Sequence, residues 1–129
     1  MKIAVLYGGV SSEHKISVQT GMAIAESLSG KFDINLIHLN GHISSSLNDL
    51  LDADLVFNAL HGGDGENGTI QAYLDLHNII YTGSGSKSSK IAMDKNLTKI
   101  IAHSLGMSTP KWLLMKRDDQ SDIRIQDHD

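Results

Sequence analysis

The stretch Leu60-His61-Gly62-Gly63-Asp64-Gly65-Glu66-Asn67-Gly68-Thr69 constrains the fold more than any other part of the chain. Four glycines fall within seven residues, and neither a helix nor a strand continues comfortably through such a run. Upstream, the apolar Leu55-Val56-Phe57 reads as a buried strand. Downstream, Ile70, Tyr73 and Leu74 stand at i, i+3 and i+4, one face of a helix. Open α/β sheets build ligand sites from a strand that feeds a glycine-rich loop and then a helix. The loop N–H groups and the helix N-terminus converge beyond the strand's carboxyl end. The stretch is therefore expected to form one wall of a pocket.

The rest of the chain supplies the matching elements. Lys2 to Tyr7 is short, apolar and stopped by Gly8-Gly9, the pattern of a central parallel strand. Ser11, Ser12 and Ser17 are candidate N-caps for a helix whose apolar stripe is Val18, Met22 and Ala25 with Ile24 and Leu28. Gly21 on that helix would permit close approach to the sheet, and the helix is expected to end near Ser29-Gly30. Phe32 to Leu39 reads as a second strand closed by Asn40-Gly41, a short helix runs from about Ser46 to Leu51, and a third strand covers Asp54 to Leu60. Ile79-Ile80-Tyr81 reads as a fourth strand ending in Thr82-Gly83-Ser84-Gly85. From Ser86 to His103 the pattern is helical in two pieces, with Gly106 as the stop, and Pro110 precedes an extended Lys111 to Met115. Strands alternating with helices over short connections predict an α/β fold, an open parallel sheet with helices on both faces.

At 129 residues the chain holds material for one core and no second domain of ordinary size. The α/β domain is expected over residues 1–105. From Lys116 onwards the chain is dominated by Asp, Lys and Arg, with Ile123 and Ile125 the only large apolar residues. Such a segment is expected to be poorly ordered by itself. The chain has no cysteine, so disulfides and thiolate metal sites are excluded, which suits a reducing compartment. The N-terminal apolar run is too short for a signal peptide, and no run of about 18 apolar residues is available to span a bilayer. A soluble cytoplasmic protein is expected. With a net charge of −4 and scattered basic residues, a small-molecule partner is favoured over nucleic acid or a membrane surface.

Several familiar site patterns fail on spacing. Gly8-Gly9-Val10-Ser11-Ser12-Glu13 does not fit the G-x-G-x-x-G dinucleotide fingerprint, and Leu39-Asn40 offers no acid for a ribose. Gly85-Ser86-Lys87-Ser88 has the tail of a phosphate-binding P-loop, but the required earlier glycine is Ile80. Asp64, Glu66 and Asn67 lack the calcium-loop register, so a glycine-rich turn with exposed acids is expected and no metal site. Glu13 and His61 follow the first and third strands. If those strands are neighbours, both side chains reach one crevice, where a carboxylate could hold a cationic amine and an imidazole could orient it. The alternative is two unrelated surface residues. His14, His38, His42, His77, His103 and His128 share no ligand spacing, and Lys95 would by default be a solvated helix lysine.

Three stretches in order resemble the N-terminal part of the D-alanine:D-alanine ligases of the ATP-grasp superfamily. They are Ile3-Ala-Val-Leu-Tyr-Gly-Gly-Val-Ser-Ser-Glu13-His-Lys-Ile-Ser17, then Val56-Phe-Asn-Ala-Leu-His61-Gly-Gly-Asp-Gly-Glu-Asn-Gly68-Thr-Ile-Gln71 with Tyr81-Thr-Gly-Ser-Gly85, and Ala92-Met-Asp-Lys95 with Thr98-Lys99. The resemblance covers residues 1 to about 115. It implies a Rossmann-like pre-ATP-grasp domain and, over 106–129, the truncated start of the central ATP-grasp domain. It implies that Glu13 binds the ammonium of the first D-alanine with His61 beside it, that Ser17 and Gly62 belong to the same substrate-binding set, and that Lys95 reaches towards ATP. The implied reaction uses ATP and Mg2+ to phosphorylate the first D-alanine carboxylate, and the amine of the second D-alanine then attacks the acyl phosphate to make the dipeptide for peptidoglycan. A homodimer is implied as well.

The resemblance also implies what is missing. The family's nucleotide-grasping sheets, its Mg2+ ligands and the arginine that stabilises the tetrahedral intermediate lie beyond residue 129. The chain alone is expected to be inactive, with no catalytic residue certain within it. The competing expectation is a stand-alone ligand-binding module or a non-catalytic remnant.

Overall fold

The computed structural model describes residues 1–115. The expectation that 116–129, within the domain start placed over 106–129, is poorly ordered lies outside the described residues. The backbone divides into two compact units, Met1–Met93 and a second that begins at Asp94.

The first unit is built on three parallel strands, β1 (Lys2–Gly8), β2 (Asp33–Leu39) and β3 (Leu55–Asn58), in the order β2-β1-β3. In register, Ile3 lies between Ile34 and Leu55, and Leu6 lies between Ile37 and Asn58. The helices of this unit are α1 (His14–Leu28), α2 (Leu47–Leu51), α3 (Thr69–Leu76) and α4 (Ser86–Met93). The alternation of β1 sends Ala4 and Leu6 into one core with Leu50, Val56, Ile70 and Leu74. Ile3 and Val5 go into a second core with Ala59, flanked by Ile24 and Leu28 of α1. A strand buried on both faces has no polar side, which is why β1 reads as a continuous apolar run.

Two expectations need correction. The fourth strand is reduced to one parallel bridge between Val56 and Tyr81. Val56 N–H donates to the Ile80 carbonyl at 2.8 Å and Thr82 N–H to the Val56 carbonyl at 3.0 Å. The Gly83 turn, at φ 101°, follows immediately and ends the pairing there. The N-cap position of α1 is Glu13, which makes no side-chain cap bond, whereas Ser17 lies inside the helix. The Ser11 hydroxyl instead accepts from Glu13 N–H at 3.1 Å.

The second unit contains α5 (Lys95–Ser104). The helical region expected from Ser86 is broken at Asp94, whose carboxylate caps α5 by accepting from Leu97 N–H at 2.9 Å. Gly106, at φ 73°, follows its end. Within this unit the Trp112 indole donates to Asn96 at 2.8 Å, and the Lys99 ammonium donates to the Pro110 carbonyl at 2.7 Å.

Candidate functional site: a carboxylate and imidazole crevice

The site lies at the carboxyl ends of β1 and β3, which are direct neighbours, so the loops that leave them share one edge of the sheet. From β1 the chain turns through Gly8 and Gly9, at φ 93° and 80°, into the first turn of α1. From β3 it runs through Ala59 and Leu60 to His61, then through Gly62 and Gly63, at φ 66° and 50°, into a tight turn over Gly63–Gly65. These dihedrals lie in the region that side chains with a Cβ rarely adopt, which explains the glycine density here.

Two hydrogen bonds fasten the two loops together, and a third anchors the first loop on β1. The Ser11 hydroxyl donates to the His61 carbonyl at 2.6 Å. The Ser17 hydroxyl donates to the Ala59 carbonyl at 2.8 Å and accepts from Gly8 N–H at 2.8 Å. Within the glycine turn, the Gly65 carbonyl accepts from the side chains of Asn58 at 3.0 Å and Gln71 at 2.8 Å, so β3 and α3 both hold the turn.

On this frame Glu13 and His61 share one crevice. Their ligand atoms and those of Glu66 all lie within 4.8 Å of one another. The Glu13 carboxylate takes the space beside Gly62 that a side chain would fill, since a Cβ built there would sit 3.1 Å from Glu13 Oε1. The His61 ring is held by the Thr20 hydroxyl of α1, 3.0 Å from Nε2, and its Nδ1 faces Glu66 Oε1 at 3.7 Å. A cavity of about 450 Å3 opens here, lined in part by Ser11, His61 and Gly62 together with the apolar Ile43, Leu60 and Tyr73.

The arrangement brings together Glu13, His61 and Gly62, but it does not bring in Ser17. That residue is fully buried, and both hydrogen-bonding directions of its hydroxyl are used to tie β1 to the end of β3. It lies under the site and has no surface to offer a ligand. Lys95 is exposed at the first position of α5 in the second unit. Glu66 and Thr20 were not singled out from sequence. Glu66 looked like one of the exposed acids of a glycine turn, yet the turn aims it at His61. Asp64 and Asn67 do behave as a simple turn, with Asn67 donating to Asp64 at 3.1 Å and accepting from Thr69 N–H at 3.0 Å. Thr20 lies seven residues after Glu13 and three after Ser17, on the face of α1 that meets the loops, and that spacing is the one signal that could have found it.

Chemically, two carboxylates and an imidazole suit a cationic guest of modest size, such as a primary ammonium. The set does not fit Mg2+, which takes near-octahedral oxygen ligands and keeps several waters. The imidazole is the wrong donor for so hard an ion.

Comparison with known proteins places the chain in sequence and in fold. A family profile described as "D-ala D-ala ligase N-terminus" matches residues 40–84, which include the whole glycine turn. Among curated relatives, the D-alanine–D-alanine ligase of Fusobacterium nucleatum is 47% identical over 114 residues, covering 86% of this chain and 39% of the relative. That of Moorella thermoacetica is 46% identical over 114 residues, covering 88% and 37%. The D-alanine–D-alanine ligase of Bacillus anthracis, whose structure has also been solved with ATP, superposes with a TM-score of 0.85 at 40% identity, covering 94% of this chain and 40% of that one. The chain thus spans about two fifths of the length of the relatives it matches. In sequence and in fold, the chain corresponds to the N-terminal portion of the D-alanine–D-alanine ligases.

Proposed function

We propose that this chain supplies the first-substrate half-site of an ATP-dependent D-alanine–D-alanine ligase, with dipeptide formation for peptidoglycan as the role of the whole enzyme. The observation that carries the reading is the seating of the Glu13 carboxylate against Gly62, with His61 beside it. An ammonium placed there meets Glu13 as a charge-assisted partner, while Glu66 and the Thr20-oriented imidazole provide further acceptors. Ser17 contributes by holding the two loops in register. Lys95 is assigned to ATP, where a lysine would stabilise developing phosphate charge. ATP and Mg2+ are the cofactors of the whole enzyme in this reading, and the Mg2+ ligands belong to the parts of it outside this chain.

D-alanine and ATP are the small-molecule partners of this reading, and a cytoplasmic homodimer is its setting. No helix among the described residues is long and apolar enough to cross a membrane. The chain by itself is taken to bind without ligating. The test has two parts. NMR titration with D-alanine should shift the amides around Gly62, and Glu13→Gln should abolish the shifts. An unchanged titration in Glu13→Gln would overturn the half-site, and D-alanine-dependent ADP release from the purified chain would overturn its inactivity.

A further inference from the structure

We propose that Glu13, His61 and Glu66 also form a binding site for a divalent transition cation of the zinc or cobalt class. The assignment stands on these three side chains and their supports, independently of the ammonium reading. If both are correct, metal and ammonium exclude one another.

The geometry comes first. Zinc binds imidazole nitrogen and carboxylate oxygen at about 2.0–2.2 Å, which places tetrahedral ligand atoms about 3.3 Å apart. His61 Nδ1 and Glu66 Oε1 are already 3.7 Å apart. That distance is too long for an N–H···O hydrogen bond and close to what two ligands of one ion require. All three ligand atoms lie within 4.8 Å, and Glu13 is an exposed side chain at the start of α1, so side-chain rotations that move its carboxylate by up to about 1.5 Å close the set.

The second observation is the support around the imidazole. A metal-binding histidine usually has its other ring nitrogen hydrogen-bonded, which fixes ring orientation and tautomer. Thr20 Oγ1 stands 3.0 Å from Nε2 and does this for His61. With Nε2–H donating to that hydroxyl, Nδ1 is the ring nitrogen left to face Glu66 and to bind an ion. The backbone is held independently, through the Ser11 hydroxyl bond to the His61 carbonyl.

The donor chemistry selects the ion. Two carboxylates balance a divalent charge, and the imidazole favours zinc, cobalt or nickel over magnesium or calcium. Three protein ligands leave a coordination position open to water. In an enzyme whose amine substrate uses Glu13, such an ion would act as a competitive inhibitor.

The test is titration of the purified chain with Co2+, followed by visible absorption, and with Zn2+, followed by calorimetry. The chain has no cysteine, so the signal cannot come from thiolates. The expected result is one ion per chain, with affinity at least tenfold weaker in Glu66→Gln and His61→Gln. In Thr20→Val it should be about tenfold weaker. His42→Gln, which removes an exposed imidazole outside the cluster, should leave binding unchanged. Circular dichroism checks that each variant is folded. Binding that survives both Glu66→Gln and His61→Gln, or that is lost in His42→Gln, would place the ion on other histidines and overturn the proposal, as would the absence of stoichiometric binding. D-alanine chelates such ions itself, so its own binding is measured separately in the presence of a metal chelator. Loss of that binding alone would retire the ammonium reading and leave the metal site standing.

Discussion

Ser17 and Ala59 are joined by a fully buried hydrogen bond of 2.8 Å that ties the first turn of α1 to the end of β3. The same hydroxyl accepts from Gly8 N–H, so one side chain satisfies two backbone groups where water cannot reach. Ser17→Ala leaves both unpartnered, at about 1–3 kcal/mol each. The expected outcome is a loss of roughly 2–6 kcal/mol in denaturant unfolding and a fall in Tm of roughly 10 °C or more. D-alanine binding should weaken less than in Glu13→Gln, because Ser17 acts on the loops and does not reach the crevice.

Gly21 makes the opposite point about space. In an exposed helix, glycine to alanine gains about 1 kcal/mol. Here a Cβ would lie 2.5 Å from Tyr7 Cβ and 2.8 Å from its Cγ, atoms near the backbone that cannot swing aside. Overpacking of this kind costs about 1–3 kcal/mol, enough to reverse the sign. Gly21→Ala should therefore destabilise the protein in urea, whereas Gly30→Ala, with nothing within 4 Å, should escape any clash.

Tyr81 carries the pH dependence. Its burial, and then its 2.7 Å hydrogen bond to the Asp75 carboxylate, push the phenol up to about 12 from an ordinary 10. Both effects oppose ionisation in the folded state. Below pH 10 the phenol is neutral whether the chain is folded or not, and its full contribution to stability is present. Between pH 10 and 12 the unfolded chain ionises first, and that contribution is lost as the pH rises. The Tyr81 phenol should ionise near pH 12 by phenolate absorbance, assigned as the step lost in Tyr81→Phe, and that variant should flatten the stability profile over this interval. Asp75→Asn should bring the midpoint down only part of the way, because burial, the largest single cause, remains.

Much of this was readable in the sequence because the strands are short, apolar and punctuated by glycine. Lys2 to Tyr7 reads as a central strand since both of its faces are covered, and Gly21 reads as a point of close approach because no helix interior gains from glycine otherwise. The pairing of Glu13 with His61 depended on whether β1 and β3 are neighbours, which local pattern leaves open and the β2-β1-β3 order answers. Glu66 was illegible because its direction is set by the positive dihedrals at Gly62, Gly63 and Gly68, which decide where a turn points after the composition has only marked that a turn exists. Ser17 was misread because a serine near a helix start looks like a cap, and only tertiary packing places it over the Ala59 carbonyl. The fourth strand was overread because Ile79-Ile80-Tyr81 has strand composition, while Gly83 cuts its pairing to one bridge.

Gly68 gives the sharpest test of that turn. At φ 92° it precedes α3, and its own carbonyl accepts from Ala72 N–H at 2.9 Å. A Cβ there would meet the Ser86 carbonyl oxygen at 2.4 Å and Lys90 N at 3.3 Å, both backbone atoms of α4. Gly83, at φ 101°, has a comparable left-handed backbone but nothing within 4 Å. Gly83→Ala therefore carries the dihedral cost alone, about 1–2 kcal/mol. Gly68→Ala adds a collision that only a separation of α3 from α4 can relieve. Unfolding should show Gly68→Ala to be the more destabilised of the two. Hydrogen exchange should quicken at the Ala72 and Ser89 amides in Gly68→Ala and stay near the parent rate in Gly83→Ala. Equal losses of stability in both variants would mean that the turn costs only its dihedral, and that α4 does not pack rigidly on the loop that carries His61 and Glu66.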